Sequence, residues 1–113
     1  MKLGANVAPG LDALQAASPN RLRGIRHHVT WSPAPAVDTR ESEGILANAT
    51  VREGAKVLSQ KGWSLDGMIA FPPMPAVADF ARAVPELPII LHHIGALNRV
   101  GLYANREGEV RAV

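Results

Sequence analysis

Residues 88–95 read PIILHHIG, a run of Ile89, Ile90 and Leu91 between a proline and a glycine, with His92 and His93 at its carboxyl end. A short β-branched run bounded in this way predicts a strand buried on both faces, as in parallel sheets. In α/β folds ligands bind outside the carboxyl ends of such strands. The two histidines are therefore the first place to look for chemistry.

Working outward, the preceding segment PPMPAVADFARAVPELP (72–88) predicts a helix opened by Pro75, with Val77, Phe80, Ala81 and Val84 on one apolar stripe and Pro85 as its stop. Before it, WSLDGMIAF (63–71) is apolar with few interruptions and predicts a strand closed by Pro72-Pro73. Asn48 is a good N-cap for a helix carrying Val51, Ala55 and Leu58, with Gly62 as the residue just past its end. Thr30 to Gly44 holds two prolines, several charges and no periodicity, which predicts a long loop. LRGIRHHV (22–29) alternates with period two if Gly24 marks a close backbone approach, and PGLDALQAA (9–17) spaces Leu11 and Leu14 for a short helix. After Gly95 the pattern supports only a loop with a nascent helix.

Strands alternating with helices of about ten residues predict an α/β domain of about three parallel strands joined through helical crossovers. At 113 residues the chain makes a single domain over 1–113, able to bury roughly two-thirds of its unfolded surface. Aromatic residues are only 4%, so the core is expected to be aliphatic, with Trp63 and Phe80 in it and Trp31 over a loop. A formal charge of +2 is too small to argue for nucleic acid or an anionic membrane. There is no cysteine, which removes disulfides and thiolate metal sites and fits a reducing, cytoplasmic setting. No stretch approaches the roughly 20 apolar residues of a membrane span, and the first residues make a poor secretory signal.

The strand ends supply the candidate site. Arg26, His27 and His28 come from the first strand, Phe71 and Met74 from around the second, His92 and His93 from the third. Side chains alternate along a strand, so only one histidine of each pair faces a shared site. Imidazole serves as a general acid or base and, when neutral, as a ligand for Zn²⁺; Arg26 offers a planar fork for a carboxylate. The plainer expectation is that such histidines are hydrogen-bonded boundary residues, that Arg21 and Arg23 coat the surface, and that Asp66, early in its strand, caps or pairs. No G-x-G-x-x-G, Walker loop, G-x-S-x-G elbow, H-E-x-x-H or H-x-H occurs.

Taken together, RLRGIRHH (21–28), the unit ending in KGWSLDGMIAF (61–71), PPMPAVADFARAVPELP and IILHHIG (89–95) resemble the amidohydrolase-related family of TIM-barrel hydrolases, which includes metal-dependent hydrolases and lactonases of sugar acids. The resemblance runs over roughly residues 11 to 103. It implies a partial TIM (β/α) barrel and hydrolysis of a small carboxylated substrate such as a lactone, by water attack on a carbonyl. It further implies that His93, matching the histidine of an N-H-x-G motif, acts in catalysis or as a metal ligand, and that Arg26, with His27 beside it, holds a substrate carboxylate. His92 stands where relatives carry Asn or Asp, and is expected to face outward. The family's opening H-x-H and late aspartate are not in this sequence, so a divalent metal such as Zn²⁺, which normally takes about three protein ligands, is expected to bind weakly if at all. A barrel takes about 250 residues and eight strands. The chain thus reads as the middle of one, with a remnant strand near Leu3 to Val7 and open sheet edges that favour self-association. The rival reading is a non-catalytic α/β module that binds a small anion at Arg26 or complements a partner's barrel.

Overall fold

The structure is a computed structural model that describes residues 4–29, 44–68 and 74–93, together with 104, 105 and 108. Its elements run α1 (Ala8–Ala17), β1 (Gly24–His28), a 3₁₀ turn (Ile45–Ala47), α2 (Ala49–Gln60), β2 (Ser64–Met68), α3 (Met74–Ala83) and β3 (Ile89–Leu91). The strands form one sheet in the order β1-β2-β3, and both pairings are parallel. The class is therefore α/β, as the alternation of strand and helix predicts. The long loop expected over 30–44 lies almost wholly outside the described residues, as do Trp31, Phe71 and the segment just after Gly95.

The helices form where local chemistry dictates. Asn48 caps α2 by accepting from the backbone N–H of Thr50 and Val51 through its side-chain oxygen, at 2.9 and 3.4 Å. At the other end Gly62 takes a φ of +68°, which lets its own N–H reach Ser59 O and the Trp63 N–H reach Leu58 O, closing the last turn in a Schellman motif. Replacing Asn48 by alanine leaves those N–H groups without their acceptor. A loss of about 1 kcal/mol is expected, read as a lowered urea midpoint at unchanged slope.

One apolar cluster joins the three helices to one sheet face. Leu11 of α1, Val51, Ala55 and Leu58 of α2, and Phe80 of α3 meet Ile25 and Leu65 of the strands, with Val84, Leu87 and Trp63 closing the margins. Arg52 of α2 ties the layer together from outside, donating from Nε to Leu46 O at 3.0 Å and from Nη2 to Asp79 of α3 at 2.8 Å. Gly24 permits a close approach of β1 to β2: a Cβ there would stand 2.6 Å from the carbonyl oxygen of Ser64.

Two expectations are corrected. The stretch around Leu3 to Val7 is not a strand over its described residues, since Ala5 and Asn6 form a turn in which Val7 N–H donates to Gly4 O, leading directly into α1. Nor is the third strand buried on both faces. Ile90 is 49% exposed, because the helices cover only the face that carries Ile25 and Leu65. Among the described residues no helix is long and apolar enough to cross a membrane.

Candidate functional site

The parallel register places Arg26, Asp66 and Ile90 in one row across the three strands, all on the face that the helices leave open. Gly24, Ser64 and Pro88 precede that row, and the next lies at the strands' carboxyl ends. There the ladder continues one residue past β3, because the His92 N–H still donates to Gly67 O at 3.2 Å. Side chains alternate, so His92 joins Ile90 on the Arg26 face. The chain then turns at His93, whose φ is +51°.

His92 becomes the hub of a small polar cluster. Its Nε2 lies 3.1 Å from Arg26 Nη2 and 3.3 Å from Asp66 Oδ2. The side chains of His92 and Asp66 keep 19% and 29% of their exposure, so the pair is part-buried but open to solute. A guanidinium only donates and a carboxylate only accepts. One nitrogen cannot answer both at once: as a lone pair Nε2 accepts from Arg26, and as N–H it donates to Asp66. The two states compete for one atom.

The residues singled out from the sequence are distributed unevenly about this cluster. Arg26 is in it. His27 alternates to the opposite face and is 2% exposed, among the apolar side chains under the helices, so it cannot share a site with Arg26. His93 is exposed, with its ring edge-on to that of His92 at 5.9 Å between centroids. The expectation that His92 faces outward is thus reversed, for a backbone reason: ladder hydrogen bonding continues to the His92 N–H, just past β3, and the positive φ falls at His93. Asp66 pairs, as expected, and its partner is His92 across the sheet; it stands directly opposite Arg26 within β2 (Ser64–Met68). The signal for it was present in the sequence as the single acid inside an otherwise apolar strand.

The metal implied by the resemblance is matched by no group of three ligands among the described residues. Among the described residues no three His, Cys, Asp or Glu side chains converge on one point, and His92 and Asp66 spend the facing atoms on each other. A separate cleft of about 280 Å³ lies between the carboxyl ends of α2 and α3, lined by Lys56, Ser59, Gln60, Ala83, Val84 and Glu86. Crossover helices run against the strands, so this cleft belongs to the opposite edge of the sheet from His92. No known protein family, curated protein or solved structure matches the chain.

Proposed function

We propose that the chain carries part of the site of a (β/α)-barrel hydrolase of the amidohydrolase-related kind, acting on a small carboxylated substrate such as a lactone. The observation that supports this reading best is the convergence of Arg26, His92 and Asp66 on the open face, at the carboxyl side of a parallel sheet whose strands follow in sequence order. Helices on one face only and strands added in order are what a sector of a barrel requires.

The chemistry follows from the competition at Nε2. A substrate carboxylate takes the Arg26 fork, bidentate pairing being the strong mode for guanidinium. His92 Nε2 is then free to carry hydrogen and donate to Asp66, which leaves Nδ1 with its lone pair. Nδ1 accepts a proton from water as the water oxygen bonds to the lactone carbonyl carbon. The ring C–O bond breaks, and the alkoxide recovers the proton from the imidazolium. Asp66 orients the ring throughout, a positioning role of the kind familiar from acid–histidine pairs. His93, the histidine favoured by the resemblance, stands beside this pair and competes with His92 for the role of base.

The test is turnover of a lactone bearing a free carboxylate by the full chain, alongside calorimetric binding of its ring-opened acid. Arg26→Gln should weaken binding of the acid about tenfold or more, the loss expected for a charge-assisted hydrogen bond. Binding that disappears in Arg26→Gln with no turnover in the unmodified chain would instead favour a non-catalytic anion-binding module, a reading supported by the exposure of Arg26 on the sheet face opposite the helices.

A further inference from the structure

Opposite charges set directly across from one another on neighbouring strands ordinarily pair. Arg26 and Asp66 are in register, yet they make no ion pair with each other. Each is turned to the same imidazole nitrogen instead, so that His92 holds a cation and an anion apart on an open surface. The third residue of the row, Ile90, is apolar, and half of it is exposed beside them. A fixed sequence of cation, anion and aliphatic side chain is presented across adjacent strands spaced roughly 4.8 Å apart.

Resting on the reading that Arg26 binds a carboxylate, we infer that the row Arg26–Asp66–Ile90 selects a carboxylate with a hydrogen-bond donor on the adjacent carbon and a branched aliphatic tail. The carboxylate goes to Arg26. The donor, a hydroxyl or an ammonium, goes to Asp66, whose side chain keeps enough exposure to accept it. The tail covers Ile90. Each contact also rejects something. A plain carboxylate meets Asp66 as an unrelieved like charge, and a short hydroxy acid leaves Ile90 in water. Hydroxy acids and amino acids share this chemistry, and the experiment separates them.

The experiment is a titration of the ¹⁵N-labelled full chain, followed at the backbone amides of residues 26, 66 and 90, with four probes: α-hydroxyisocaproate, leucine, isocaproate and lactate. α-Hydroxyisocaproate or leucine is expected to bind about tenfold tighter than both isocaproate and lactate, in line with one charge-assisted hydrogen bond and one aliphatic contact. Whichever of the two binds tighter names the donor. Asp66→Asn should shrink the advantage over isocaproate, and Ile90→Ser the advantage over lactate, with the other preference left in place. Equal binding of all four probes overturns the inference while leaving Arg26 as a carboxylate anchor. Absence of shifts with every probe overturns both the inference and the reading on which it rests.

Discussion

Gly24→Val is expected to destabilise the fold by about 3 kcal/mol, at the upper end of what overpacking of a filled interior usually costs. A Cβ at this position would lie 2.6 Å from the carbonyl oxygen of Ser64 and 3.1 Å from its carbonyl carbon. Both are backbone atoms of the neighbouring strand, so no rotamer change relieves the contact. The same strands are joined immediately beside it by the Ser64 N–H donating to Arg23 O at 2.8 Å, so moving β1 away to make room stretches that bond as well. The effect reaches the site, because Arg26 and Asp66 depend on the register set from Gly24↔Ser64 onward. Urea unfolding should show the midpoint lowered by about 1 M or more for a slope in the usual range. A second replacement, Ser64→Gly, removes only the hydroxymethyl part of the clash and should restore little. Wild-type stability in Gly24→Val would mean that β1 and β2 are not packed at this distance.

The core offers a comparison of similar size. Phe80 is 1% exposed and sits where α3 meets the common apolar cluster. Phe80→Ala removes a whole buried ring from the cluster, for an expected loss of about 3–5 kcal/mol. Because Phe80 packs on the sheet face opposite the polar cluster, this loss should leave the slope of unfolding unchanged and the carboxylate preferences of the folded protein intact.

How much of this was legible beforehand depends on the range of the interactions. α2 could be read almost to the residue because its cap Asn48, its stripe Val51, Ala55 and Leu58, and its terminal Gly62 are all local signals. Gly24 was legible as a close approach, since a glycine inside an alternating strand has few other reasons to be there. The polar cluster was not legible in the same way. His92 and Arg26 are 66 positions apart, and His92 and Asp66 are 26 apart. Their meeting depends on the register of three strands at once, which no local pattern encodes. Alternation alone left open which histidine of the pair faces the site, and only the resemblance singled out His93; the ladder's bond from His92 N–H to Gly67 O puts His92 on the Arg26 face.

The largest functional effect is expected at His92. If His92 is the base, His92→Gln should lower lactone turnover by about 10²–10⁴-fold, the usual worth of a positioned general base. Glutamine fills a similar space and keeps polar atoms near Arg26 and Asp66, so folding and carboxylate binding should survive. His93→Ala should then change turnover by less than about tenfold, because His93 is exposed and touches the pair only edge-on. The reverse pattern would assign the base to His93 and reduce His92 to a spacer between charges. Asp66→Asn sharpens the test. An amide in place of the carboxylate can present N–H to Nε2, which favours the tautomer with hydrogen on Nδ1 and removes the lone pair from the atom that faces water in the proposed mechanism. In Ser-His-Asp enzymes the same exchange costs about 10⁴-fold through the wrong tautomer. A fall of at least about 10²-fold is expected here, where the pair is partly open to solvent. It should appear in kcat far more than in KM, because the carboxylate anchor on Arg26 is untouched. A fall confined to KM would show Asp66 acting on substrate binding alone, and the acid–histidine pair would lose its place in the reaction.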